Sequence, residues 1–211
     1  MAEWRIGRGW SRRELQARLA ALPALDRNFS APEDRMTNEN GWHRYFSESV
    51  VVRTRPGPPA DDGPYARGKI AVTNYAFSDP RIVIAHFDPD VPLRDRYLLL
   101  ELRALRALHY LGGVVVGDVR ETQTDDETVF GFRYDTLEGH MERGAEWFLL
   151  TKEHATGKIR FRIEAAWQPG EFPNWWSRVG FAWMGERYQQ QWHRHAHRNL
   201  AELVRNPQVG P

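Results

Sequence analysis

The chain has 211 residues, of which 41% are hydrophobic and 27% charged, with a formal net charge of +1 and no cysteine. That is enough chain for one large folded domain. The charge is too small to draw it onto nucleic acid or an anionic membrane. Without cysteine, disulfides, thiolate nucleophiles and cysteine-ligated metals are all excluded.

No run of 18 or more apolar residues occurs and the first residues carry no apolar signal core, so the expectation is a cytoplasmic protein without membrane insertion. Lysine stands only at Lys69, Lys152 and Lys158, the other cations being arginine. Nine tryptophans are the stronger signal. Rings of that size must fill a core, line a pocket or form a contact patch.

In chain order, "EWRIGRGWS" reads as a short extended stretch ending in Ser11, which can cap the helix "RRELQARLAAL". Leu15, Leu19 and Leu22 share one face of it and Pro23 stops it. "NFSAPEDRMTNENGW" repeats the start signal and predicts a short second helix ending near Gly41. From Tyr45 the period becomes two, with strands expected over "YFSESVVVRTR" and "GKIAVTNYAF". Between them "PGPPADDGP", about 56–64, reads as a mobile insertion.

"PRIVIAHFDPD" is strand-like, and "RDRYLLLELRALRALHYLGG" fits both periods but is read as strands because "GGVVVGDVRET" continues as one. "ETVFGFRY", "AEWFLLTKE" and "GKIRFRIEAAWQ" are clearer strands. In the last, Ile159, Phe161, Ile163, Ala165 and Trp167 alternate with charged residues, as in an antiparallel sheet with one wet face. The 3.6 period then returns from about Asn174 to Arg205, with a stripe through Phe181, Met184, Tyr188, Trp192, Ala196 and Leu200. The expected fold is therefore a single α+β domain spanning 1–211, a curved antiparallel sheet wrapped around a long C-terminal helix.

One polar stretch interrupts the strands, "FGFRYDTLEGHMERGAEWF", Phe130 to Phe148. Read as a connection of about ten residues, it is long for a hairpin. It gathers Tyr134, Thr136, His140, Glu142 and Glu146, groups suited to moving or holding a proton. As an enzyme site, His140 would be the general acid or base, Glu142 or Glu146 its orienter, and Tyr134 or Thr136 an oxyanion donor.

Asp79 before Pro80 reads as a turn starter, with Tyr75 and Arg81 as alternative ligand contacts. His193 and His197, four apart on the last helix, could share a metal. No HExxH pattern accompanies them and three basic groups near a helix end suit its dipole, so no metal or cofactor is expected.

The same stretch carries a resemblance. "VFGFRYDTLEGHMERGAEWFLL", with "IRFRIEAAW", "RYQQQWHR" and the opening "RIGRGWSRRELQARLAAL", resembles a bacterial and plant family catalogued as a domain of unknown function, marked roughly by "FGFxYGTLPGHPExGEExF". Asp135 stands where that pattern has Gly, Glu138 and Met141 where it has Pro, and Ala145 where it has Glu. The family is similar to START-like (SRPBCC) helix-grip proteins. The resemblance implies that fold and a hydrophobic cavity between sheet and helix, and brings no reaction with it.

The leading expectation is a protein that binds a hydrophobic or aromatic small molecule. Trp167, Trp183, Tyr188 and Trp192 would supply apolar contact, and Tyr75, Tyr134, His140 and Arg178 polar orientation. The alternatives are an enzyme of cyclase, dehydratase or hydrolase type acting on a carbonyl substrate through His140, and an interaction protein using Trp175, Trp176 and Trp183, with self-association left open.

Overall fold

The computed structural model of the chain describes residues 3–104, 108–170 and 175–206, and only the backbone of 104 and 175–188. Eight strands form one antiparallel sheet: β1 Glu3–Ile6, β2 His43–Arg53, β3 Val83–His86, β4 Tyr97–Ala104, β5 Leu108–Gln123, β6 Glu127–Thr136, β7 Glu142–Glu153 and β8 Lys158–Pro169. Their order is β2-β8-β7-β6-β5-β4-β3. The long β5 shares one edge between two partners, β1 opposite Leu108–Leu111 and β6 opposite Val114–Gln123.

Irregular pairing at Val50/Val52 in β2 and at Val116/Asp118 in β5 adds local bend and twist to the sheet. The helices are α1 Arg12–Ala21, α2 Pro64–Thr73 and α3 Trp175–Arg205. The α+β arrangement of curved antiparallel sheet and C-terminal helix is thus the one the periodicity implies.

Why these elements form is legible locally. Ser11 accepts a hydrogen bond from the Glu14 N–H while the Glu14 carboxylate accepts from the Ser11 N–H, closing a capping box on α1. Leu15 and Leu19 then pack with Trp10, Leu22, Leu99, Leu111 and Leu137 in a cluster behind β4 and β5. In β6, β7 and β8 the alternation puts Phe130, Phe132, Phe148, Leu150, Ile159, Phe161 and Ile163 on the opposite face, in the main core. Trp192, Ala196, Leu200 and Val204 of α3 close over it at helical spacing.

Three sequence expectations are corrected. "GKIAVTNYAF" is not a strand: Pro64 opens α2 at its first turn, and Tyr65, Gly68, Ala71 and Val72 face the core at a period near 3.6 that a period-two reading conceals. Gly68 permits the close approach, since a Cβ there would stand 2.8 Å from Leu150 Cδ2 and 3.2 Å from Val204 Cγ1. The expected second helix is instead two single 3-10 turns, Glu33–Arg35 and Asn38–Asn40, ended by Gly41 at φ 76°. The polar connection is also shorter than supposed. Strand pairing continues through Asp135↔Ala145, leaving 137–141 as the link.

The segment 54–63 before α2 is tied to the sheet, with the Lys152 ammonium donating to Pro58 O at 2.9 Å and the Gly57 N–H to His154 O at 2.8 Å.

Asp135, out of pattern in the sequence, lies on the back face of β6 with no exposed surface. Arg133 Nε reaches it at 2.8 Å and Arg27 Nε at 3.2 Å. Gly117 makes the space, because a Cβ there would sit 2.1 Å from Asp135 Oδ2. The two positions are therefore coupled. Gly117→Ala should destabilise the protein by about 2 kcal/mol through overpacking, whereas on an Asp135→Gly background it should cost far less. A denaturant-unfolding double-mutant cycle with a coupling below about 0.5 kcal/mol would contradict this.

Candidate functional site

Tyr134 on β6 and Glu146 on β7 are direct cross-strand partners, so their side chains leave the sheet together on the core side. The Tyr134 hydroxyl donates to Glu146 Oε2. With Thr136, Glu142, Gly144 and Ala145 from the same hairpin, Ala165 and Trp167 from β8, and Gln189 from α3, they line a small cleft between sheet and helix. Its volume of about 20 Å³ is near the room one water needs. Trp167 forms one side, stacked on His43 with centroids 4.5 Å apart.

The electrostatics of the cleft are uneven. Burial, reinforced by the neighbouring Glu146 charge, pushes the Glu142 carboxyl up to about 8. Among the described residues, no hydrogen-bond donor meets that carboxyl. Burial also raises the Tyr134 hydroxyl well above the tyrosine range, with Glu146 adding to it. Tyr75 is raised in the same way, first by burial and then by Glu146.

On the helix side His193 is 1% exposed and its Nε2 lies 3.4 Å from Glu146 Oε1 without completing a hydrogen bond. Its Nδ1 meets Ser47 Oγ at 2.7 Å; the same oxygen meets His197 Nε2 at 2.7 Å, and Ser49 Oγ meets His197 Nδ1 at 2.9 Å.

His140 belongs elsewhere. It is 6% exposed, edge-on to Tyr110 with centroids 5.9 Å apart, and its Nδ1 accepts from the Glu142 N–H at 3.1 Å. A Cβ at Gly112 would stand 2.4 Å from its ring, so that glycine is what lets the imidazole lie on β5. Burial lowers its pKa to about 4, leaving a neutral ring at neutral pH. The Met141 N–H donates to the Tyr110 hydroxyl at 2.7 Å beside it. Around His140 the connection is a clasp between hairpin and β5, while Glu142 and Glu146 turn to the cleft.

Thr136 straddles both roles, lining the cleft while its hydroxyl donates to Asn28 Oδ1 at 2.6 Å and accepts from the Gly144 N–H at 2.8 Å.

Of the residues expected to touch a ligand, Trp167 lines the cleft. Trp192 and Tyr75 are core: rings of Tyr75, Phe77, Phe148 and Trp192 pack at centroid distances of 4.6 to 6.4 Å, and Trp192 Nε1–H donates to Ser78 Oγ at 2.9 Å. The side chains of Arg178, Trp183 and Tyr188, like those of Trp175 and Trp176, lie outside the described residues.

His193 and His197 do share a helix face, but serines of β2 occupy both nitrogens of His197 and Nδ1 of His193. Among the described residues no three His, Asp or Glu side chains are grouped to hold a metal ion. Sequence reasoning missed Ser47, Gln189 and the place of His193 at the cleft. The signal for His193 was the match of its four-residue spacing with His197 to the two-residue spacing of Ser47 and Ser49.

A sheet gripping a C-terminal helix, with a polar cleft where helix and hairpin meet, defines an α+β protein of helix-grip type. The chain belongs to the family described as Domain of unknown function (DUF1990), which it matches over residues 30–199. No curated protein matches it.

Among solved structures, the crystal structure of Ara h 8.0201 aligns with a TM-score of 0.45 at 13% identity, covering 79% of this chain and 100% of that one. SA2116 from Staphylococcus aureus, a protein of unknown function, aligns at 0.40 and 4%, covering 78% and 97%. A protein from Arthrobacter aurescens solved by solution NMR aligns at 0.41 and 10%, covering 79% and 87%. Likenesses this loose carry nothing about activity. Among the described residues no helix is long and apolar enough to cross a membrane.

Glu142 supplies a test of the cleft's electrostatics. A carboxyl raised from 4.5 to about 8 on folding binds its proton more tightly in the native state. Its contribution is complete below 4.5 and is lost as pH rises through 8. Glu142→Gln, which cannot ionise, should therefore gain stability relative to wild type as pH climbs through that window and plateau above it. Thermal unfolding of both proteins across the range checks this, and a difference independent of pH would refute the assignment.

Proposed function

We propose that the protein binds a small organic molecule at the mouth of the cleft where the Phe130–Phe148 hairpin meets α3, with only its polar end entering the one-water space inside. The ligand's apolar or aromatic body lies against Trp167 and Ala165, and its polar end meets Glu142 and Glu146. The observation that carries this reading is the pair of carboxyl groups in one cleft, one of them held protonated at neutral pH by burial and by the other's charge. Such a pair offers a hydrogen-bond donor and an acceptor side by side, and keeping it costs stability that packing alone would not require. The apolar wall beside it suits recognition of a molecule with one polar end.

A second reading rests on the same pair. Burial and the Glu146 charge raise the proton affinity of Glu142, which suits it to act as a general acid beside Glu146. His140 enters neither reading directly, since it does not line the cleft.

Native mass spectrometry of protein freshly isolated from its host should detect a retained small molecule. Trp167→Ala and Glu142→Ala should each lower the retained fraction, while Trp147→Phe, on the opposite face of β7, should not. Protein that carries nothing, and whose cleft resonances are unmoved by a library of small aromatic carbonyl and hydroxyl compounds, would defeat the proposal.

A further inference from the structure

The geometry points to a proton relay, Ser49–His197–Ser47–His193–Glu146, that connects the half-buried Ser49 of edge strand β2 to the cleft and equips it for proton transfer to or from a ligand oxygen. This rests on the cleft being a ligand site, as proposed above, and adds the path by which its protons come and go.

Two periods produce the chain. His193 and His197 are one helical turn apart on the face of α3 toward β2, and Ser47 and Ser49 are two apart on the strand face toward α3. Interleaved, they give links of 2.9, 2.7 and 2.7 Å before the 3.4 Å approach of His193 Nε2 to Glu146 Oε1. His197 uses both ring nitrogens and His193 bonds through one while turning the other toward Glu146, an arrangement that lets a ring pass a proton on: one enters at one nitrogen and another leaves from the other. A purely structural tether between α3 and β2 would need one nitrogen of each.

Donor and acceptor rules fix the direction. The Glu146 carboxylate only accepts, so His193 presents Nε2–H to it and leaves Nδ1 bare. Ser47 must then donate to His193 Nδ1 and accept from His197 Nε2–H. His197 Nδ1 in turn accepts from Ser49. Each serine hydrogen is then used once, and each of the three hydrogen bonds has one donor and one acceptor.

Burial, aided by His193, lowers the His197 pKa to about 4, consistent with the neutral ring this order needs. The groups facing His193 are Glu146, Ser47, His197 and the edge-on Tyr45, whose centroid lies 4.8 Å away. No lysine or arginine among the described residues pairs with Glu146.

A proton entering from solvent at Ser49 displaces that hydroxyl's own proton to His197 Nδ1. His197 releases its Nε2 proton to Ser47, and Ser47 releases its own to His193 Nδ1. His193 then gives its Nε2 proton to Glu146. At each step one O–H or N–H bond breaks as the next forms, and the result is one proton removed from solvent and one neutral Glu146 carboxyl. No redox partner is required. Glu146 can hand that proton to a ligand oxygen, or the sequence can run backwards to clear one. The unpartnered His193 Nε2 is the gap across which the cleft is loaded.

The relay can be tested without a ligand, which separates its failure from failure of the binding reading. Nitrogen-15 NMR of the wild-type protein at neutral pH should show His193 and His197 both as Nε2–H tautomers. His197→Gln can still hydrogen-bond Ser47 but cannot pass a proton through a ring, and Ser47→Ala cuts the chain. Each should slow solvent exchange of the His193 Nε2 proton by about tenfold or more, while Ser47→Thr should exchange like wild type. Unfolding measured alongside separates loss of packing from loss of conduction. A wild-type His193 carrying its proton on Nδ1, or exchange in His197→Gln as fast as in wild type, would overturn the relay.

Discussion

The seating of Trp192 governs the working half of the molecule. Its ring lies among Tyr75, Phe77 and Phe148, and its N–H is spent on Ser78, so α3 cannot roll about its axis without opening the core or stranding that donor. Truncating such a ring typically costs about 3–5 kcal/mol, a large share of the stability of a domain. Because the helix cannot roll, the next residue is fixed too. His193 is pressed between Ser47 and Glu146, and one turn later His197 meets the same serine and its neighbour. Packing thus supplies the aim, and polar groups take up positions that apolar contacts have already set.

Against that rigid backdrop the hairpin of β6 and β7 divides its labour by face. Toward the back, Asp135 is neutralised by Arg133 and Arg27, and Trp147 lies under Arg120 with its N–H on Glu33. Toward the helix, Glu142 and Glu146 have no such arginine partner among the described residues. One strand pair therefore carries a buried acid neutralised by arginines on one face and two acids without such partners on the other. Tyr75, held in the left-handed region at φ 55°, sits beneath this second face, a conformation that non-glycine side chains adopt at a cost.

Much of the fold was legible in the sequence because burial imposes period two on β6, β7 and β8 and period 3.6 on α3. The failures share a cause. In "GKIAVTNYAF" the core-facing positions include Gly68 and Ala71, whose small side chains vanish from a hydrophobicity pattern even though small size is what the helix needs there. Around His140 the residue types suggested either chemistry or a clasp, and the ring's placement depends on Gly112, 28 positions away, which leaves the imidazole a place to lie. No local window contains both. The cleft was half visible: Glu142, Glu146 and Tyr134 were in view as a group, whereas His193 was set aside with His197 as basic groups suiting a helix end, since helix spacing alone does not show the strand that faces it.

The family match begins at residue 30, yet the physical unit begins earlier. The Asn28 side chain bonds Thr136 and the Glu142 carbonyl, Arg27 helps neutralise Asp135, and Trp10, Leu15, Leu19 and Leu22 cover Leu99, Leu111 and Leu137. What precedes the shared domain thus works as its fastening, strapping the hairpin from outside at the position where it carries its acids inside. Relatives that keep the matched region but differ ahead of it would need another way to hold the same strands, so variation in that leading segment bears on the cleft as directly as variation within it.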